Sequence, residues 1–254
     1  MRIFVIRHGE SVGNVDEAAF EKYENYYIPL TKFGAHQAEQ SGAFLRDYLK
    51  EHPGGSNGKV TLWSGPYRRV VQTKNKLLGE LGDHIADTEQ HYLLRERFNG
   101  IFDNIRKPER QEALFPKEFA AFIKEIDEKG LAAARPPGGE SNDDVAVRLK
   151  RFIDNYVGDD KDLVIVTHGA VANALEYHLC GRSHEWLNSR VGPEGRLANG
   201  EIQLLEGDRE HGFSATSIYK PKQRAEAAHI TPAMNEPFGG PFPERRAITS
   251  GHAR

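Results

Sequence analysis

Two histidines and two arginines carry the clearest chemistry in this sequence: Arg7 and His8, Arg69, and His168. A neutral imidazole is a nucleophile or a proton-transfer group near pH 7. A guanidinium presents a planar fork that binds two oxygens of a tetrahedral anion at once. Together the four describe a pocket for a dianionic tetrahedral group. Taken singly, each has an ordinary reading: a histidine after a strand caps or packs, and an arginine opening a helix is a solvated charge. What sets them apart is position. All four follow short apolar runs, and glycine follows both histidines, as Gly9 and Gly169, where a bare backbone can approach a ligand.

The elements that would bring them together are legible in outline. Ile3–Ile6, Val60–Trp63 and Leu163–Val166 read as buried strands, each ending in polar residues. Strands of a parallel sheet end on one side, so Arg7-His8, Arg69 and His168 are expected to converge there. Val12–Pro29 reads as a loop with a short helix. Thr31 is expected to cap a helix whose stripe is Ala35, Ala38, Gly42, Leu45 and Leu49. A second helix is expected over Arg68–Leu81, and His91–Leu94 as another short strand or extended segment. Ser141 with Asp144 resembles a capping box ahead of Val145, Leu149, Phe152 and Tyr156. Residues 101–138 read as a helical insertion over one edge, with Phe115, Phe119, Phe122 and Ile126 as its apolar face. Glu201–Leu205 and Phe213–Ile218 pair as outer strands. The expected architecture is a three-layer α/β/α sandwich with a mostly parallel central sheet. One domain would occupy residues 1–220, and 221–254 would be a tail rich in Pro, Gly and Arg, either a flexible arm or a segment docking Phe238 and Phe242.

Composition narrows the partners. The chain has 254 residues, 34 basic against 37 acidic, and a formal charge of −3. That balance points to neither nucleic acid nor a membrane surface, so any anion affinity must come from local clustering. Cys180 is the one cysteine, which rules out an internal disulfide and suits a reducing compartment. With the first strand beginning at residue 2 and no apolar run of membrane length, a cytoplasmic protein without a signal peptide is expected. His168, Glu176 and His178 lack the spacing of a zinc helix, so no metal and no cofactor is expected. The expected ligand is a small phosphorylated molecule, with a homodimer left open.

Several segments, in order, resemble the histidine phosphatase superfamily, which includes the cofactor-dependent phosphoglycerate mutases. They are Arg7-His8-Gly9-Glu10-Ser11 with Asn14; Leu30-Thr31 with Gly34; Ser64-Gly-Pro-Tyr-Arg-Arg69-Val-Val-Gln-Thr73; Leu94-Arg-Glu96-Arg97 with Gly100; Gly138-Gly-Glu-Ser141; and Thr167-His168-Gly169. The resemblance covers roughly residues 2–206. It implies that His8 becomes phosphohistidine, that Arg7, Arg69 and His168 hold the phosphoryl group, and that Glu96 donates the proton. It also places Asn14 against phosphate, with Ser11 and Gly169 beside it. Spacing from Pro66 and Thr73 selects Arg69 over Arg68. The physical expectations that go with this are a protonated His168 and a Glu96 whose carboxyl is raised by burial so that it can act as an acid.

Three outcomes share that intermediate or its pocket: a phosphatase, a mutase, and a phosphate-binding protein without turnover. In the mutases the segment after the acid carries a tyrosine before the glycine, and two adjacent arginines follow further on. Here Asn99 takes the tyrosine position and residues 101–138 contain no Arg-Arg pair. The phosphatase is therefore the favoured reading. Tyr23–Tyr27 and Phe102–Arg110 are expected to cover the pocket, with Arg106, Lys107 and Arg110 favouring a substrate with a second anionic group. Glu140 is expected to order the helix start rather than take part in chemistry.

Overall fold

The protein is described from a computed structural model covering residues 1–54, 58–157, 161–192, 194–227 and 230–239. The chain runs through β1 (Arg2–Arg7), two short helices α1 (Val12–Val15) and α2 (Ala19–Lys22), and a long α3 (Lys32–Glu51). Next come β2 (Val60–Ser64), α4 (Arg68–Leu81) and β3 (Ile85–Gln90), followed by α5 (Pro108–Leu114) and α6 (Pro116–Lys129). The remainder is α7 (Asn142–Tyr156), β4 (Asp162–Thr167), α8 (Gly169–Leu179), α9 (His184–Ser189), β5 (Ile202–Asp208) and β6 (Gly212–Tyr219). The six strands form one sheet in the order β3-β2-β4-β1-β5-β6. The first four are parallel, and β5 and β6 extend the sheet antiparallel.

Strand alternation splits the core into two halves. Ile3, Val5, Leu163 and Ile165 point to one face, where Val145, Leu149 and Phe152 of α7 and Val171 and Leu175 of α8 cover them. Phe4, Ile6, Val164 and Val166 point to the other, under Leu45 and Leu49 of α3 and Val70 and Leu77 of α4. Both faces are buried, which is why β1 and β4 read as unbroken apolar runs. The result is the expected α/β/α sandwich. Its consequence for function lies between β1 and β4. They are paired in parallel, Arg7 opposite Thr167, yet α3 leaves toward one face and α8 toward the other. That divergence opens a crevice at the carboxyl ends of the two central strands.

One local expectation needs correcting. His91–Leu94 is not a strand: Tyr92–Leu94 is a 3-10 turn, and Leu94 is fully buried in the α7/α8 half of the core. The fourth parallel strand is β3, Ile-Ala-Asp-Thr-Glu-Gln, whose residues after the first are all exposed. An edge strand held by backbone pairing to β2 has no apolar face, so no apolar period marks it. The Thr31 cap does form, its Oγ1 accepting from Gly34 N at 2.9 Å. The Ser141 cap likewise accepts from Asp144 N at 3.0 Å. The tail is docked as far as the description reaches. Phe238 N donates to Leu30 O at 2.8 Å, and Gln72 Nε2 donates to Phe238 O at 2.8 Å. Phe242 lies outside the described residues. Among the described residues no helix is long and apolar enough to cross a membrane.

The loop after β1 is pressed flat on the start of α3. A Cβ at Gly9 would sit 2.1 Å from Gly34 O, and one at Gly34 would sit 1.9 Å from Glu10 O. Glycine is required on both sides of this contact. Gly9→Ala should therefore lose at least about 1–3 kcal/mol, the usual cost of overpacking, read as a lowered urea midpoint. An unchanged midpoint would show that the two backbones are not packed this closely.

Candidate active site

His8 follows β1 directly, and its amide donates to Thr167 O at 2.9 Å, extending the β1–β4 pairing by one bond. Its side chain is 3% exposed. Nδ1 lies 2.7 Å from Gly9 O. A carbonyl can only accept, so Nδ1 carries the hydrogen and the lone pair is on Nε2. Arg69 Nε donates to that Nε2 at 3.2 Å, which agrees with the assignment. Gly9 is itself anchored: its amide donates to Thr73 Oγ1 at 3.1 Å, and that hydroxyl donates to Arg69 O at 2.8 Å. The first turns of α4 thus fix both the arginine and the loop it faces.

Arg69 is 3% exposed; its NH1 donates to Asn25 O at 2.8 Å, and its NH2 is 3.9 Å from Glu96 Oε2. Arg7 at the end of β1 donates from NH1 to Leu197 O at 2.6 Å, while its buried Nε has no hydrogen-bond partner among the described residues. His168 is completely buried at the start of α8, edge-on to His8 at 5.3 Å between ring centres and edge-on to Tyr67 at 5.1 Å. Among the described residues neither of its ring nitrogens has a hydrogen-bond partner, although Nδ1 is 3.5 Å from Glu96 Oε2. Buried polar atoms left unpaired are uncommon in a folded core, and here they cluster around one crevice.

Glu96 reaches the crevice from the segment after Leu94. Arg148 of α7 braces that segment, donating to Leu93 O and, at 2.9 Å, to Arg95 O. Glu140 completes the brace by accepting from Arg95 NH2 at 2.5 Å and from Arg148 Nε at 2.9 Å. Glu140 is therefore structural. Glu96 Oε1 accepts from Arg97 N at 2.9 Å.

The cavity these residues enclose has a volume of about 330 Å³. Arg7, His8, Ser11, Asn14, Arg69, Glu96 and Gly169 all line it, and His168 sits immediately behind. Asn14 turns its Oδ1 back to Ser11, accepting from the amide and the hydroxyl at 2.9 Å each, which leaves its Nδ2 as the donor toward the cavity. Ser11 thus spends its hydroxyl on loop order. The insertion forms the far wall through Phe102, Ile105, Arg106, Gln111 and Phe122. Of the expected basic cover only Arg106 arrives there, lying 4.2 Å over the Phe20 ring. Lys107 and Arg110 are exposed outside, and Arg110 is paired with Glu21 at 3.1 Å. The Tyr23–Tyr27 part of the expected cover does not line the cavity either; Phe20 does.

Two cavity arginines were not foreseen. Arg97 directly follows Glu96 in the Leu94–Arg97 segment, and the sequence assigns it no role of its own. Arg196 comes from the Gly-rich stretch before β5, with no periodicity to mark it. A Cβ at Gly169 would lie 2.9 Å from Arg196 Cδ, so that glycine makes room for the arginine. Among the described residues no group of three His, Cys, Asp or Glu side chains is arranged to hold a metal ion.

Protonation departs from expectation at two places. Burial, then Arg69, Arg148, Arg7 and Arg106, hold His168 well below the ordinary imidazole value, so it rests neutral rather than charged. His8 is lowered in the same way by burial, Arg69, His168 and Arg7. Burial also lowers Arg7 to about 10. For Glu96, burial is the largest single influence and pushes its carboxyl up. Arg69, Arg196, the Arg97 amide and Arg106 together outweigh it and hold the group below the ordinary value. Glu96 therefore rests ionised, not as the raised acid expected from burial alone.

The family profile of the histidine phosphatase superfamily (branch 1) matches residues 3–214. The chain belongs to this superfamily. A phosphoglycerate mutase-like protein from Arabidopsis thaliana is 31% identical over 222 residues, covering 81% of this chain and 73% of its own length. A 2,3-bisphosphoglycerate-dependent phosphoglycerate mutase from Rhizobium etli is 24% identical over 178 residues, covering 68% and 78%. Among solved structures, the mycobacterial glucosyl-3-phosphoglycerate phosphatase in complex with VO3 aligns with a TM-score of 0.61 at 21% identity, over 87% of this chain and 99% of that one. The alpha-ribazole phosphatase from Shigella flexneri aligns with a TM-score of 0.61 at 22% identity, over 85% and 94%. This member of the superfamily is an enzyme.

The buried neutral histidines tie stability to pH. In the unfolded chain they take up protons near 6.5, whereas in the fold they do so only well below that. Below pH 6.5 the unfolded state therefore binds more protons, and stability falls as pH falls, by up to about 1.4 kcal/mol per pH unit for each histidine. Urea midpoints at pH 7, 6 and 5 should fall less steeply in His168→Asn than in the wild type. Equal slopes would show that His168 accepts its proton in place.

Proposed function

We propose that this enzyme hydrolyses small phosphomonoesters through a phosphohistidine on His8 Nε2. The observation that carries the reading is the tautomer: Gly9 O holds the proton on Nδ1 and leaves the Nε2 lone pair directed into an arginine-lined cavity. The substrate phosphoryl oxygens would meet Arg7, Arg69, the Asn14 amide and the N–H of a neutral His168. These donors meet the charge that spreads over the phosphoryl group in transfer, and they are already in place before reaction.

The ionised Glu96 fits this scheme. A dianion entering the cavity offsets the arginines that keep the carboxyl deprotonated, so burial then dominates and Glu96 takes up a proton with substrate. In the first step Nε2 forms a bond to phosphorus, the ester P–O bond breaks, and Glu96 gives its proton to the departing alkoxide. In the second step Glu96 removes a proton from water as that oxygen bonds to phosphorus and the P–N bond breaks. Glu96 then holds a proton again, and it releases that proton to solvent as phosphate leaves and the arginines once more stand unoffset. The lone Cys180 supports a cytoplasmic setting for this chemistry.

The substrate class follows from charge and size. Five arginines line the cavity against Glu17 and Glu96. A phosphate dianion bound at Arg7 and Arg69 leaves Arg97, Arg106 and Arg196 on the leaving-group side. Among the described residues none of these three guanidiniums has a hydrogen-bonded or ion-paired partner. We infer a small phosphate ester with a second anionic group, a carboxylate or another phosphate. The names of the Rhizobium and mycobacterial relatives include phosphoglycerates, which are esters of that kind. Water, rather than a second substrate hydroxyl, is favoured as the acceptor by Asn99. This residue lines the cavity with its side-chain amide tied to the Arg97 carbonyl at 3.4 Å and to Asp103 Oδ1 at 3.5 Å, at the position where the mutases carry a tyrosine.

Three measurements test this. Glu96→Gln on p-nitrophenyl phosphate, whose leaving group departs unaided, should give a burst of about one nitrophenol per enzyme and then turnover slowed by about 10²–10⁴. His8→Ala should give neither burst nor turnover. Wild type should prefer 3-phosphoglycerate to glycerol 3-phosphate in kcat/KM, and Arg196→Gln should erode that preference about tenfold or more, as loss of a charged hydrogen bond does. Phosphate binding without any turnover would replace the hydrolase with a binding protein. Conversion of 3- to 2-phosphoglycerate with 2,3-bisphosphoglycerate present would replace it with a mutase.

A further inference from the structure

Glu10, two residues after the nucleophile, is a carboxylate on the side of the loop away from the cavity. It is only 6% exposed, and a buried charge needs a partner. Thr31 Oγ1 donates to its Oε1 at 2.8 Å. Its charged partner is Arg224, from beyond the region matched by the family profile. The Nε of Arg224 donates to Oε2 at 2.7 Å, and its NH2 donates to Oε1, a two-pronged pair.

The same short segment reaches the loop by two further routes. Gln37 Oε1 accepts from Glu10 N at 2.9 Å, while Gln37 Nε2 donates to Lys222 O at 3.0 Å. Gln223 Nε2 donates to Asn199 O at 3.1 Å, and Asn199 Nδ2 donates to His8 O at 3.0 Å. Residues 222–224 thus act on both the side chain and the amide of Glu10 and on the carbonyl of His8. Beyond them the tail crosses the start of α3, where Thr31 bridges Pro237 and Lys32 pairs with Glu236 at 2.6 Å.

We infer that Arg224 is a positioning residue: by holding Glu10 it sets the Gly9–Glu10 peptide and so the orientation of the Gly9 carbonyl that fixes His8 Nδ1–H. Without Arg224, Glu10 keeps one hydroxyl partner for a buried charge. It must either take a proton or turn to solvent, and the close contact with Gly34 leaves the loop no slack to absorb the turn. The Gly9 carbonyl moves with it, and His8 loses its single tautomer and its aim. Lysine cannot replace the two-pronged grip of arginine, so it should restore the charge and only part of the geometry.

The kinetic part of the test rests on His8 being the nucleophile; the exchange part does not. Arg224→Gln should lower kcat on p-nitrophenyl phosphate at least tenfold with KM within twofold, and Arg224→Lys should fall between it and wild type. Amide hydrogen exchange at Gly9 and Glu10 should speed up at least tenfold in Arg224→Gln, with β4 unchanged. A core variant, Ile153→Val, serves as a stability control and should keep wild-type kcat and wild-type exchange at the loop. Wild-type kcat and exchange in Arg224→Gln would overturn the inference, as would equal losses in Ile153→Val at a matched drop in Tm. If wild type turns over no phosphomonoester, the proposed function fails, and unchanged exchange at Gly9 and Glu10 would separately overturn the positioning role. If Arg224→Gln does not fold, Arg224→Lys decides: wild-type kcat and loop exchange in that variant overturn the inference.

Discussion

The structure depends on holding positive charge close to two buried imidazoles. Arg69 is almost wholly buried, Arg7 is partly so, and His8 and His168 lie between them at the ends of β1 and β4. The guanidiniums keep their charge because carbonyls of Asn25 and Leu197 accept from them and Glu96 stands nearby. The imidazoles, with a lower intrinsic affinity for protons, give theirs up instead. Burial, reinforced by repulsion from Arg69 and Arg7, thus keeps His8 neutral, the state that its proposed role as nucleophile requires. The same unbalanced charge supports the proposal that a dianion occupies the crevice. Its arrival relieves the repulsion that the fold sustains.

This arrangement needs the sheet to deliver four side chains to one point, and that part was legible in the sequence. β1 and β4 are apolar on both faces because helices cover both, so their runs stand out, and the residues after them mark the crevice. Thr31 and Ser141 announced their helices because a cap is a local interaction. β3 was invisible for the opposite reason: an exposed edge strand gains its structure from a neighbour, and Ile85–Gln90 carries no pattern of its own. Leu93 and Leu94 drew attention to the wrong residues, since their hydrophobicity serves packing rather than pairing.

The site was readable in its types and less so in its electrostatics. Arg7, His8, Arg69 and His168 could be selected because they stand at strand exits, with glycine after both histidines, whereas Glu96 and Asn14 came from the family resemblance alone. The charge state of Glu96 could not be read. Burial alone would raise it, and the reversal comes first from Arg69, then from Arg196, the Arg97 amide and Arg106, of which Arg196 lies about 100 residues away in the chain. Arg196 reaches the cavity over Gly169, and nothing in the sequence near either residue connects them. Long-range charge is the ingredient that local patterns omit.

The tail shows the same limit from another direction. Composition rich in Pro, Gly and Arg reads as an arm, yet 222–224 and 236–238 are tied by hydrogen bonds to Glu10, Leu30, Thr31, Lys32, Gln37, Gln72 and Asn199. Such bonds require no apolar stripe. They require that a buried carboxylate and several backbone groups find partners, and the loop of His8 supplies both demands at once. A cavity face crowded with arginines cannot also provide a cation for the far side of the loop without drawing Glu10 inward. The counter-charge for Glu10 must come from outside the catalytic crevice, and Arg224 is placed where the cluster at Arg7 and Arg69 cannot compete for the same carboxylate.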